Sequence, residues 1–235
     1  MKNLLKILSI FIVLHSNIVI GQVGKNYAQF DRKKFHFGFA LGINTADFHY
    51  RYNLENSVAD SIININIKKQ GGFNLGVISS WNVNENVHIR TIFPSIKFQE
   101  RLFTYQYLKD GVLKTKETRL ESTTFDFQLI LKLRTKRIGN FAAYGLTGLE
   151  YSNDLATQSD AKPDLNEPFV RMKRHDFSYQ VGGGFDFFLE YFKLGLEVKL
   201  SNGLVNVYLP DETFFMQPLT DLRTKVWSLS VTFEG

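Results

Sequence analysis

An all-β fold, specifically an eight-stranded antiparallel up-and-down transmembrane β-barrel of the outer-membrane type, is predicted by three observations. Large apolar side chains recur at every second residue over eight stretches, which is strand periodicity. The connections between those stretches alternate long and short, as in bacterial barrels with long loops outside and short turns in the periplasm. Glycines also stand opposite charges where strand facing is easiest to read. That place is Phe177 to Ser201, FSYQVGGGFDFFLEYFKLGLEVKLS. Apolar residues fall first on odd numbers (Phe177, Tyr179, Val181, Phe185, Phe187, Leu189), then on even ones (Phe192, Leu194, Leu196, Val198, Leu200). A two-residue turn at Glu190-Tyr191 produces that switch and pairs Phe187 with Leu194, Phe185 with Leu196 and Val181 with Leu200 on one face. On the other face Gly184 meets Glu197, Gly182 meets Lys199 and Gly195 meets Asp186, the pattern a narrow polar interior requires.

The 235 residues are 44% hydrophobic and 22% charged, ordinary for a folded chain, with a high aromatic share of 14% carried mainly by 22 Phe. A mean hydropathy of −0.14 does not flag a membrane protein, but barrels evade that test because only alternate residues meet lipid. With no cysteine, disulfides, thiolate metal sites, cysteine nucleophiles and a lipobox anchor are excluded. Residues 1–21 read as a secretory signal peptide: Lys2 and Lys6, an apolar run from Ile7 to Leu14, then Gly21. His15, Ser16 and Asn17 interrupt the run before the roughly 20 apolar residues a helical anchor needs. The net charge of +5 falls to a small excess of basic residues once Lys2 and Lys6 are removed. For an exported chain this indicates a mixed-charge surface, with no nucleic-acid partner.

In chain order, residues 22–34 are polar and read as a flexible periplasmic segment, so that the barrel spans 35–235. Phe35, Phe37, Phe39, Leu41 and Ile43 then alternate with small or polar residues. Thr45 to Gly71 reads as a long loop with strand extensions near Ile62 to Ile67. Gly72 to Val83 forms the second strand, and a short turn at Asn84-Glu85-Asn86 leads into the third. At Pro94 the apolar parity flips to Ile96 and Phe98, which predicts a bulge. Arg101 to Arg119 reads as a second long connection with Asp110-Gly111 at its tip. Leu120 to Arg134 carries Phe125, Phe127, Leu129, Leu131 and Leu133 on one face. After a short turn, Phe141 to Tyr151 is a strand of open facing, because Tyr144 and Leu146 compete with Leu149 and Tyr151. Ser152 to His175 and Asn202 to Asp221 are the remaining long loops. Leu222 to Phe233 closes the count.

Period two does not distinguish inside from outside, and a soluble sandwich would point the same faces inward. Strands longer than the roughly 9 to 11 residues needed to span a bilayer, the loop asymmetry and the glycine–charge pairing favour lipid outside. The lumen of an eight-stranded barrel is then filled by side chains. Asp126, Lys132, Arg134, Glu150, Asp176, Asp186, Lys193, Glu197 and Lys199 are expected to form a structural lumenal charge network, with Asp186 and Lys193 as one ion pair, in preference to a conducting path. Arg171, Lys173 and Arg174 would sit beside an outer leaflet. They read as a solvated loop base, with contact to lipopolysaccharide or a partner as the alternative. The five histidines show no metal-ligand spacing, and no G-x-S-x-G, P-loop or H-E-x-x-H motif occurs. His175-Asp176 is the sort of neighbour pair that chance supplies. Neither cofactor nor catalytic residues nor a small-molecule substrate is indicated.

Several stretches resemble the PorT family of outer-membrane barrels of the type IX (Por) secretion and gliding motility system. They are FHFGFALGINTADF (Phe35 to Phe48), GFNLGVIS (Gly72 to Ser79), FDFQLILKLRTKRIGNFAAYGLTGLEYSNDLA (Phe125 to Ala156) and KRHDFSYQVGGGFDFFLEYFKLGLEVKLSNGL (Lys173 to Leu204). The ordered combination with LKLRTKRIGN and YSNDLA is the most telling part. The resemblance implies a non-enzymatic component required to export proteins with C-terminal sorting domains, working through other secretion-system proteins. It brings no catalytic residues. The alternative is a small structural or adhesive barrel acting through its extracellular loops.

Overall fold

In a computed structural model, residues 24–52, 62–109, 111–156, 171–210 and 219–235 are described. Residues 1–21, expected to be a signal peptide, and the expected tip residue Asp110 lie outside them. Eight strands form: β1 (Phe35–Tyr52), β2 (Ile62–Asn82), β3 (Val87–Lys109), β4 (Val112–Arg134), β5 (Phe141–Asp154), β6 (His175–Phe188), β7 (Lys193–Gly203) and β8 (Leu219–Glu234). Each pairs antiparallel with its neighbours, and β8 returns to β1 from Gly38↔Glu234 to Tyr52↔Leu219, closing the ring. Closure pairs the backbone polar groups that hydrocarbon leaves unsatisfied in an open sheet.

The apolar faces point outward. Phe37 is 66% exposed and Ile43 63%, whereas Arg90, Lys132, Asp186 and Glu197 are at most 1% exposed. That inversion of a soluble protein's pattern defines a lipid-facing wall. Rings pack along both borders of the apolar belt, with Phe35 on Trp81 and Phe39 on Phe233 towards the termini, and Phe73 on Phe98 and Tyr151 on Phe177 towards the other end. The β6–β7 register pairs Val181 with Leu200, Phe185 with Leu196 and Gly184 with Glu197. At Gly184 an added Cβ would collide with the Leu196 carbonyl and the Tyr144 ring. Glycine is required there because Tyr144 crosses that spot. The parity flip at Pro94 is a bulge, where the register shifts between Ile92 and Ser95 against β4 and between Gly76 and Ile78 on β2.

Several strands run further than the sequence suggests. Arg101 to Arg119 is not a loop: β3 and β4 stay paired from Arg101↔Leu120 to Lys109↔Val112. The 23 residues of each strand extend about 75 Å at roughly 3.3 Å per residue, well beyond a bilayer even when tilted. Likewise β1 continues to Tyr52 and β2 begins at Ile62, inside the stretch expected as a loop. Pairing of β1 with β2 stops at Ala46↔Gln70 and pairing of β4 with β5 at Thr124↔Asp154, so β2, β3 and β4 rise past the rim as a three-stranded sheet. Strand β5 faces Tyr144 and Leu146 inward and Leu149 outward, settling the open register. The segment expected to be a flexible lead-in is packed: residues 26–32 form turns across the terminal end of the ring, and Phe30 is 1% exposed.

Candidate functional site

The lumen is filled in three layers. At the end holding the termini and short turns, Phe30 enters the ring, stacked on His36 with centroids 3.7 Å apart and edge-on to Phe188 at 5.7 Å. Lys193 Nζ lies 4.5 Å from the Phe30 ring centre. The following residue, Asp31, accepts from Arg134 Nη2 at 2.7 Å and faces Arg137 Nη1 at 3.4 Å. Gly139, at φ +59°, shapes the β4–β5 turn, and its carbonyl accepts from Arg137 Nε at 3.0 Å. That contact helps hold the Arg137 guanidinium 3.6 Å over the Phe188 ring. Partial burial alone would raise the Asp31 carboxyl, but the hydrogen bonds and charges of Arg134 and Arg137 outweigh it and hold the group below the usual carboxylate range. Beside this plug, Asn82 joins His36 and His88, with Asn82 Nδ2 2.9 Å from His36 Nε2 and Asn82 Oδ1 against His88 Nδ1.

The middle layer is two runs of ion pairs joined by a pair of glutamines. Lys132 holds Asp186 at 2.8 Å; Lys193 joins Asp186 at 3.7 Å to Glu234 at 3.0 Å. Arg90 links Glu234 at 2.7 Å to Glu197 at 2.9 Å, and Lys199 approaches Glu197 at 3.6 Å. Tyr144 donates to Glu197 at 3.1 Å, with Lys132 Nζ 3.5 Å from its ring centre. Lys199 also donates to Gln128, whose neighbour Gln180 donates to Glu150. Lys97 then bridges Glu150 at 2.5 Å and Asp126 at 3.1 Å. Five cations (Arg90, Lys97, Lys132, Lys193, Lys199) meet five anions (Asp126, Glu150, Asp186, Glu197, Glu234). Such balance makes burial tolerable, because each charge has opposite neighbours in a medium poor in water. Ala40, Ile78, Ile92, Ile130, Tyr144 and Leu146 fill the space beside it.

Beyond lies a small cavity of about 40 Å³, lined by Lys97, Arg101, Glu150, Asp154 and Asp176 and by several hydroxyls. Thr224 donates to Asp176 at 2.5 Å and Ser122 to Asp154 at 2.6 Å. An apolar cap closes over it, with Phe48, Ile65 and Phe103 from the walls and Met172, Val207 and Tyr208 from the connections. Met172 and Tyr208 pair as an isolated bridge. Of the rim cations, Lys173 Nζ donates to the Asn206 carbonyl at 2.9 Å, Arg174 is exposed and Arg171 partly buried.

Of the residues singled out in the sequence, Lys132, Asp186, Lys193, Glu197, Lys199, Asp126 and Glu150 come together in the middle layer. Arg134 belongs to the plug and Asp176 to the outer cavity. Arg90, Lys97 and Glu234 complete the chain and were not singled out. Arg90 is legible as an inward position on β3, whereas Lys97 lies past the bulge, where parity is lost. Glu234 hides behind the last outward aromatic, Phe233. Among the described residues, no group of three or more His, Asp or Glu side chains is arranged to hold a metal.

A closed ring of eight strands, apolar outside and filled with paired charges inside, defines a small transmembrane β-barrel of the outer-membrane type. The family described as "Outer membrane protein beta-barrel domain" matches residues 27–209, and the chain belongs to that family. Among solved structures it is similar to the outer membrane protein OprG of Pseudomonas aeruginosa, at 14% identity and TM-score 0.49 over 86% of this chain and 97% of that one. It is also similar to Neisserial surface protein A, at 9% identity and TM-score 0.44 over 84% and 95%. A third is Ail, the attachment invasion locus protein of Yersinia pestis, at 13% identity and TM-score 0.40 over 86% and 100%. No curated protein matches the sequence.

Proposed function

We propose that the chain is a non-enzymatic outer-membrane component required for type IX secretion of proteins with C-terminal sorting domains, linked to gliding motility and acting through protein partners of the same system. The observation that carries this reading is the ordered resemblance to the PorT family, above all LKLRTKRIGN and YSNDLA, within a chain that belongs to an outer-membrane barrel family. The filled lumen favours it too. Asp126, Lys132, Asp186, Lys193, Glu197 and Lys199 act as a structural network, so the working surfaces are the periplasmic turns and the outer loops. Besides those proteins, the partner is membrane lipid, with Arg171, Lys173 and Arg174 at the level of the outer leaflet's phosphates. Deleting the gene and assaying culture fluid for cargo bearing the sorting domain tests the reading. Retention of cargo is expected, and normal export would overturn it.

A second reading, a small adhesive barrel, is favoured by the sheet of β2, β3 and β4 standing beyond the rim. In that case removing the sheet abolishes surface attachment and leaves export intact.

A further inference from the structure

The plug at the periplasmic mouth is made of two adjacent residues of different chemistry, each with its own receptor. Phe30 fills an aromatic slot between His36 and Phe188 with a lysine ammonium near its face, and Asp31 meets the paired guanidiniums of Arg134 and Arg137. The slot belongs to the barrel: its walls come from β1, β6 and β7, and its cations from β4 and the β4–β5 turn. The plug lies outside the ladder. Before Lys34 it reaches the ring's ends through side chains and a few terminal contacts, Asn26 N to Asn140 Oδ1 at 2.8 Å and Arg137 to the Asn26 carbonyl among them. Lys25, Gln29, Arg32 and Lys33 of the same segment are exposed. A pair of buried, correctly spaced receptors filled by a short segment outside the sheet describes a binding site holding its own chain.

We propose that the periplasmic mouth is a recognition socket for an aromatic side chain adjacent to a carboxylate, and that the chain's own Phe30-Asp31 occupies it until a partner segment of the same chemistry displaces it. The guanidinium pair selects a carboxylate because two cations, one at the end of β4 and one in the β4–β5 turn, grip its two oxygens separately, Oδ1 by Arg134 and Oδ2 by Arg137. The slot selects a flat ring, since His36 lies 14° from parallel to it. The partner is an extended periplasmic segment, because only a narrow strand of chain enters a mouth ringed by the short turns. The inference rests on the preceding reading only in taking that partner to be a periplasmic protein.

The test uses purified full-length protein refolded in detergent micelles, with a fluorescent synthetic peptide reproducing Gly24–Lys34 as probe and anisotropy as readout. In the wild type the tethered segment competes with the probe. In Asp31→Asn, which loses the charge-assisted contact but keeps the ring, the probe should bind about tenfold more tightly than to the wild type, since apparent affinity scales with the open fraction. Phe30→Ala/Asp31→Ala should bind it at least as well, with folding checked by heat-modifiable gel mobility. Probes carrying Ala for the Phe or Asn for the Asp should each lose about tenfold. Equal affinity for wild type and both variants, or indifference to the probe substitutions, would overturn the proposal. Because the measurement involves no export, normal cargo release from a deletion strain would remove the secretion reading and leave the binding result standing.

Discussion

Arg90 is central to the interior's neutrality, because its guanidinium joins two carboxylates, Glu197 and Glu234, on different strands at 2.9 and 2.7 Å. Replacing it with Leu leaves both anions buried with less counter-charge and should destabilise the protein by about 3–5 kcal/mol, read from denaturant unfolding in vesicles. Adding Glu197→Gln and Glu234→Gln to Arg90→Leu should recover much of that loss; no recovery would mean the arginine's packing matters more than its charge. Asp31 gives a pH-dependent counterpart. Its folded-state pKa is depressed, through Arg134 and Arg137 outweighing burial, so its stabilisation is complete above the unfolded carboxylate value and is lost as pH falls through the folded one. The difference in thermal midpoint between wild type and Asp31→Asn should therefore be present at neutral pH and vanish in acid. A difference that persisted in acid would assign it to the amide substitution alone. At this scale the sequence was legible where charge opposes glycine: Lys199 against Gly182 and Glu197 against Gly184 mark the lumen unambiguously. It was not legible at Phe30, a single apolar residue among polar neighbours with no period to announce it.

The β6–β7 hairpin and the β3–β4 hairpin show why some elements could be read and others not. In β6 and β7 one face meets lipid and the other a crowded polar lumen, so chemistry alternates strictly and dictates the register. Val181, outward in the middle of β6, sits near the bilayer midplane, and Val181→Lys should cost about 2–4 kcal/mol, measured by refolding equilibrium into lipid vesicles. A neutral outcome would place that face away from the hydrocarbon. The outer half of β3–β4 has no lipid on either side. Its inner face carries Phe103 and Tyr105 under the cap with Lys114 and Lys116 of β4 on the same side, and its outer face carries polar residues such as Thr104, Glu117 and Arg119. The alternation there is between aromatic and polar on one strand and among polar residues on the other, which resembles a loop in composition. Strand β5 was ambiguous for a different reason. Tyr144 is a large ring turned inward because Glu197 accepts its hydroxyl and Lys132 lies over its face, so size alone misleads about direction.

For the whole molecule, the plug, the five-to-five ion-pair layer and the apolar cap occupy the axis in series, so no continuous water path is expected among the described residues. Purified protein in planar bilayers should show no sustained ion conductance. A stable open channel would contradict the filled lumen. The eight-strand count, the closed ring and the two ends were all legible because loop length and outward aromatics are set by the bilayer itself. The layering along the axis was not, since it depends on which inward residues from distant strands share a height. That dependence has a consequence for biogenesis. The last charge of the network, Glu234, rides on the closing strand, while its cations wait on β3 and β7. If β8 zips two residues out of step against β1, Thr232 or solvent takes the place of Glu234, and Arg90 and Lys193 are stranded together without it. The alternation of outward and inward faces would survive that slip, and the stranded cations would be among its costs, with the Phe39–Phe233 stack and the Thr224–Asp176 hydrogen bond also lost. Glu234 thus ties the register in which the ring closes to the neutrality of the lumen.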